Sequence, residues 1–180
     1  MANMDIGVYQ DTNNSTSTTA LSLKDDRTDT STGTIVTSNS DRKYLATYFV
    51  AGSSYTMKEV HLWLDKVGSP TYDIHVEIFP HSTNEPGTAA VSDGTSGTIS
   101  ASTLTTSEAE YTFTGLNCSI TSGTTYWVVL VVGGSSFTHY ARWHKYAGSY
   151  PGYTQTQKTA DPTVSWGTQE NSTGKFQTYG

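Results

Sequence analysis

The chain has 180 residues, a formal net charge of -6 and 14% charged residues, while 34% of its residues are hydrophobic. This length suits a single domain. Binding of nucleic acid through phosphates needs clustered Lys and Arg, and the ten basic residues here are scattered, so no nucleic-acid partner is expected. No apolar run approaches the ~20 residues that span a bilayer, so no membrane insertion is expected.

The first part of the chain, residues 1–42, is a polar lead. Its apolar residues come singly or in alternation, as in Met4, Ile6 and Val8. Such a segment cannot bury enough apolar surface to form its own core. It is predicted to be either disordered or an arm that orders only in an assembly, where Met4, Ile6 and Val8 could add a strand to an exposed sheet edge.

Residues 43–180 have the pattern of strands. The segments 56–64 and 72–79 alternate apolar and polar residues, which is typical of half-buried antiparallel strands. The segment 126–132 is apolar on both faces, which predicts a central strand covered on each side. Strands at this spacing, separated by Gly and Pro turns, predict an all-β fold, an antiparallel β-sandwich of the jelly-roll type. The in-phase residues predict a core of Val60, Leu62, Leu64, Ile74, Val76, Ile78, Tyr126, Val128 and Leu130.

The order of several motifs resembles that of a known family. The motifs are, in order, the alternating strand 60–64, Gly68-Ser69-Pro70, the alternating strand 74–78, Asn84-Glu85-Pro86-Gly87-Thr88, the segment 120–130 with Gly123-Thr124-Thr125-Tyr126-Trp127, and the terminal strand 175–180. This order is similar to the choice-of-anchor type of jelly-roll domain, found in bacteriophage structural proteins and bacterial surface proteins. The resemblance covers roughly residues 44–180. Its motifs are structural, so it implies the fold and leaves the function open.

Residues that could carry catalysis lack the partners that catalysis needs. The sequence has no Gly-x-Ser-x-Gly elbow, no phosphate-cradling loop and no His-Glu-x-x-His motif. Cys118 has no base among its sequence neighbours and is predicted to be a small buried residue. The acidic residues Glu59, Asp73 and Glu77 are predicted to lie on a solvated sheet face. We therefore expect no enzymatic activity and no cofactor.

A metal site is an alternative for the same face. If the strands 56–64 and 72–79 formed a simple hairpin, Glu59 would lie opposite Glu77, and His61 opposite His75. Two imidazoles and two carboxylates on one surface could bind a divalent ion such as zinc. A surface ladder of polar side chains is the competing interpretation, and it is favoured because a jelly roll can place consecutive strands in different sheets.

The segment 142–153 is rich in aromatic residues beside flexible Gly and Pro. Arg142, Trp143, Tyr146, Tyr150 and Tyr153 would bring large contact area and polar groups to a loop. The segment is either a platform for a glycan or a subunit contact, or else a loop whose aromatic rings fold back over the open end of the sandwich.

The beginning of the chain has neither a basic region nor an apolar run, so no signal peptide is expected. This favours the viral members of the resembled family over the secreted ones. The predicted function is a non-enzymatic virion structural protein, a capsid decoration or tail-associated subunit that self-associates or binds other virion proteins. The alternative is a carbohydrate-binding or adhesin module, extracellular or at a cell surface, that binds glycans through the loop aromatics.

Overall fold

The computed structural model describes residues 20–28, 35–37, 42–134, 136–146, 154–157, 166–167, 169–170 and 173–180. These residues form sixteen strands and one short 3-10 helix, Ala101–Thr103. The strands are β1 (Leu23–Arg27), β2 (Ile35–Thr37), β3 (Tyr44–Val50), β4 (Tyr55–Met57), β5 (Glu59–Val67), β6 (Asp73–Ser82), β7 (Glu85–Pro86), β8 (Ile99–Ser100), β9 (Ala109–Phe113), β10 (Cys118–Ile120), β11 (Thr125–Val132), β12 (Tyr140–Tyr146), β13 (Thr154–Gln157), β14 (Gln169–Glu170), β15 (Thr173–Gly174) and β16 (Phe176–Tyr179). Within the described part of the chain, no helix is long and apolar enough to cross a membrane.

The strands form two main antiparallel sheets, each of seven strands. Sheet 1 has the order β1-β16-β5-β12-β15, with β9 also paired to β5 and β2 to β12. Sheet 2 has the order β14-β13-β3-β11-β6-β7, with β8 also paired to β6. The strands β4 and β10 form a separate two-stranded ribbon. The predicted all-β antiparallel sandwich is confirmed.

The main core lies between the two sheets, and all nine residues predicted for it belong to one continuous buried cluster. Eight of them have no exposed surface, and Tyr126 is 7% exposed. The alternation has period two, so β5 contributes its even-numbered residues from one side while β6 and β11 contribute theirs from the other. Each fully buried aliphatic side chain contributes about 1.5–3 kcal/mol relative to an exposed one.

A second, smaller apolar cluster lies on the outer face of sheet 2. Its buried members are Ala46, Phe79, Trp127, Val129, Val131 and Trp166. Because β11 sends Val128 and Leu130 into the core and Trp127 and Val129 to this outer cluster, it is buried on both faces. The prediction of a central strand covered on each side is confirmed.

Part of the polar lead belongs to the sandwich, which differs from the predicted boundary at residue 42. The strand β1 pairs with β16, and β2 pairs with β12. Asp25 is buried, and its carboxylate accepts hydrogen bonds from the backbone N–H of Gly52 at 3.2 Å and the hydroxyl of Tyr55 at 3.0 Å. These bonds compensate the burial of a charge and attach β1 to the domain. Met4, Ile6 and Val8 lie outside the described residues.

Candidate functional site

The four residues of the metal hypothesis lie on two different surfaces. Glu59 and His61 are on β5 in sheet 1, whereas His75 and Glu77 are on β6 in sheet 2. Both strands direct their apolar side chains into the shared core, so their polar side chains point away from each other. The hairpin register is therefore wrong, and in the described part of the chain no group of three or more His, Cys, Asp or Glu side chains could hold a metal.

The outer face of sheet 1 carries charged and histidine side chains in pairs. The imidazole of His61 lies 3.2 Å from the carboxylate of Glu59 and also contacts that of Glu110. Its ring packs on Tyr179, with centroids 4.4 Å apart. On the outer face of sheet 2, the imidazole of His75 on β6 lies 3.1 Å from the carboxylate of Glu77. These residues thus form local polar pairs on each sheet. This arrangement agrees with the interpretation that they are polar surface side chains, and not with a shared metal site.

A larger ionic network joins the strands of sheet 1. Asp65 is 2% exposed and accepts two hydrogen bonds from the guanidinium of Arg142, one of 2.6 Å from Nε. The hydrogen bond to Asp65 raises the pKa of Arg142 above its usual value. His144 lies between Asp65 at 3.2 Å and Glu108 at 3.1 Å, and Glu108 also pairs with Lys175 at 2.7 Å. The network compensates the charge of a buried carboxylate, so removal of one partner should be destabilising.

The predicted aromatic loop begins as a strand, which changes the role of its first residues. Trp143 is on β12, is fully buried and donates a hydrogen bond from Nε1 to the carbonyl of Lys175 at 2.9 Å. A Cβ at Gly174 would lie 2.5 Å from its indole, so only glycine permits this approach. The interpretation of Trp143 as an exposed contact residue is therefore wrong. Tyr146 ends β12, and Tyr150 and Tyr153 lie outside the described residues.

A cleft with aromatic walls, the aromatic cleft, lies on the outer face of sheet 2. It has a volume of about 230 Å³ and is lined by Tyr48, Val50, His81, Asn84, Thr125 and Trp127. The register places Tyr48 beside Trp127 and Val50 beside Thr125. Continuing the pairing of β11 with β6 places His81 beside Thr125. The cleft is thus built where the end of β3, the start of β11 and the end of β6 meet.

Two ring contacts hold the aromatic cleft in shape. Trp127 donates a hydrogen bond from Nε1 to Nδ1 of His81 at 3.1 Å, and the two ring planes differ by only 6°. Tyr48 stands at 65° to Trp127, with centroids 5.2 Å apart. Trp127 itself is 0% exposed, whereas His81 is exposed and Tyr48 is half-buried. Trp127 therefore forms the floor, and the accessible ring surfaces belong to His81 and Tyr48.

Cys118 is a core residue, as the sequence predicts. It is buried on β10 as a member of the main core cluster. Burial raises the pKa of its thiol to about 11. The thiol is therefore protonated at neutral pH, and a thiol in this state is a poor nucleophile.

Comparison of the chain with protein-family models, with curated proteins and with solved structures finds no match.

Sequence reasoning missed the aromatic cleft. The sequence presents Trp127 only within a doubly covered strand and the motif 123–127, and Asn84 only within the motif 84–88. The three strands that build the cleft are separated in the chain, so no local pattern brings Tyr48, His81 and Trp127 together. The one local signal is the aromatic residue at an outward position on both β3 and β11.

Proposed function

We propose that this protein is a non-enzymatic structural subunit of a virus particle, a capsid decoration or tail-associated protein that acts through protein–protein contacts. The observation that carries the proposal is the attachment of the polar lead at the outer edge of sheet 1. The motif order that resembles choice-of-anchor jelly-roll domains, which occur in bacteriophage structural proteins, supports it as well.

The attachment of β1 leaves an apolar contact surface beside the point where the lead enters the domain. Leu21 and Leu23 are 40% and 47% exposed. Exposed apolar side chains at a sheet edge are suited to contact with another chain. A bulge lies between Leu23 and Asp25, and charged residues follow it on β1. Bulges and charges prevent uncontrolled edge pairing, so a contact here is expected to be selective.

The lead is long enough to reach a neighbouring subunit. Nineteen residues precede Ala20, the first described residue of the lead. A chain of this length spans at most about 60 Å, whereas a domain of this size has a radius of gyration of about 16 Å. An arm that starts at the edge of sheet 1 can therefore contact a second subunit through Met4, Ile6 and Val8.

The proposal is tested by measuring assembly of the full chain and of two altered forms by native mass spectrometry. Deletion of residues 1–12, or replacement of both Leu21 and Leu23 by Ser, should leave the thermal unfolding cooperative and reduce assembly. Phe137→Ser is the matched control, because Phe137 is 73% exposed on the β11–β12 connection and should not affect assembly. If both altered forms assemble as well as the full chain, the contact proposal is wrong.

The virion location needs a separate measurement. An antibody against the chain should label purified virus particles at regular positions in electron micrographs. Protein found only outside the particles would contradict this location.

The alternative, a carbohydrate-binding or adhesin module, has one observation in its favour. Trp143, one of the residues first considered for glycan contact, is buried, but the aromatic cleft offers ring surfaces and polar groups at another place.

A further inference from the structure

The size of the aromatic cleft limits what can occupy it. Its volume of about 230 Å³ lies below the roughly 300–1,000 Å³ of pockets that hold drug-sized molecules. The cleft can therefore enclose a single six-membered ring with its substituents, and it is too small for a nucleotide or a large cofactor.

The residues that line the cleft favour an uncharged ligand. None of the six is Asp, Glu, Lys or Arg. The indole N–H of Trp127 can only donate, so Nδ1 of His81 accepts, and the proton of the neutral imidazole is on Nε2. A charged ligand would lose its hydration without gaining an ion pair in this lining.

The accessible rings and the polar groups are arranged as a sugar requires. The ring planes of His81 and the buried Trp127 are nearly parallel, and Tyr48 stands at 65° to Trp127, so the accessible rings of His81 and Tyr48 lie on either side of the Trp127 floor at an angle to each other. A pyranose has a C–H face that packs on aromatic rings and hydroxyl groups at its rim. Asn84 and Thr125 bring an amide and a hydroxyl to the rim of the cleft.

The turn that positions Asn84 is strained. The β6–β7 loop consists of Thr83 and Asn84, with φ of 47° and 66°. Asn tolerates this left-handed conformation, but a β-branched residue such as Thr rarely adopts it. Strained backbone of this kind is often retained beside ligand sites, where it fixes a contact residue.

We propose that the aromatic cleft binds one neutral hexopyranose unit of a glycan. The C–H face of the sugar packs on His81 and Tyr48, and its hydroxyl groups hydrogen-bond with Asn84 and Thr125. This site is separate from the edge of sheet 1, so it exists whether or not the protein assembles through that edge.

The probes are methyl β-D-galactopyranoside, methyl β-D-glucopyranoside and, as a charged comparison, the methyl glycoside of N-acetylneuraminic acid. Each is added to the full chain, and binding is measured by saturation-transfer NMR and by amide chemical-shift changes. At least one neutral glycoside should bind with a dissociation constant of roughly 1 mM, a value expected for a ligand of this size. The shifts should concentrate at the β6–β7 turn and the adjoining ends of β3 and β11.

Two variants test the residues of the cleft. His81→Ala removes an accessible ring, and Asn84→Gly removes the amide while glycine accommodates a φ of 66°. Each should weaken binding about tenfold or more, as expected for loss of a main contact in a small site. His75→Ala is the matched control, because His75 lies on the same strand and face, pairs with Glu77 and does not line the cleft. Its binding should equal that of the unaltered protein.

Several outcomes would overturn the proposal. The first is the absence of saturation transfer to either neutral glycoside at roughly 10 mM, which is tenfold above the expected dissociation constant. The second is chemical-shift changes elsewhere on the surface, and the third is binding of the charged glycoside alone. The fourth is an equal loss of glycoside binding in the His75 and His81 variants. Thermal unfolding of each variant shows that it is folded. If His81→Ala does not fold, His81→Gln and Asn84→Gly provide the same test.

Discussion

The outer faces of the two sheets differ in what they carry, although both sheets contribute the same kind of apolar face to the core. The outer face of sheet 1 holds ion pairs around His61 and Asp65. The outer face of sheet 2 holds the apolar cluster around Trp127 and Val129. An antiparallel sheet commonly has one solvated face, and sheet 1 follows this rule. Sheet 2 does not, because its central strand β11 has apolar residues at three successive outward positions, Trp127, Val129 and Val131, and these need cover.

The largest expected effect compares two outward-facing tryptophans. Trp127→Ala should destabilise the protein by about 3–5 kcal/mol, because the indole is fully buried in the outer cluster of sheet 2. Trp63, on the outer face of sheet 1, is half-buried, so Trp63→Ala should cost about 1–2 kcal/mol. Urea unfolding of the two variants measures the difference. Equal costs would show that the two faces are covered alike.

The ionic network of sheet 1 is tested by removing its buried acid. Asp65→Asn should cost about 2–4 kcal/mol, because it leaves Arg142 without the carboxylate that compensates its charge. Glu110→Gln is the control, since Glu110 is an exposed partner of His61 and should cost about 1 kcal/mol or less. Denaturant unfolding at low and at high salt distinguishes them. A cost for Asp65→Asn as small as that for Glu110→Gln would mean that the network does not stabilise the sheet.

A change in the β6–β7 turn should stabilise the protein. Thr83→Asn replaces a β-branched residue at a φ of 47° by one that tolerates this conformation, and should gain about 1 kcal/mol. The neighbouring Ser82→Asn lies in β6 outside the turn and should bring no gain. Thermal unfolding measures both variants. Unchanged stability of Thr83→Asn would indicate that the turn stores no strain.

A pH dependence is expected at the core side of the β4–β10 ribbon. Burial raises the pKa of Cys118 to about 11, above its ordinary value of 9.0, so the folded protein holds this proton more tightly than the unfolded chain. The contribution is complete below pH 9.0 and is lost as the pH rises towards about 11. Unfolding measured across this range should show a smaller decline for Cys118→Ala than for the unaltered protein. An identical decline would exclude Cys118 as the cause.

Sequence patterns were sufficient where an interaction is local or follows the period of a strand. The nine core residues follow from alternation, because inward and outward positions change with every residue of a strand. The burial of Cys118 and the double cover of β11 follow from the apolar character of their own segments. Trp143 shows the limit of this reasoning, since an aromatic residue beside Gly and Pro suits a loop and a core strand equally well.

What the sequence by itself determined is the all-β class, the antiparallel sandwich and the inward face of its central strands. Only the tertiary structure decided which strands are neighbours. It placed β5 and β6 in opposite sheets, which separates His61 from His75, and it joined the ends of β3, β11 and β6 into the aromatic cleft. The physical reason is that alternation specifies which side of a strand is buried, whereas strand order depends on long-range pairing between segments far apart in the chain.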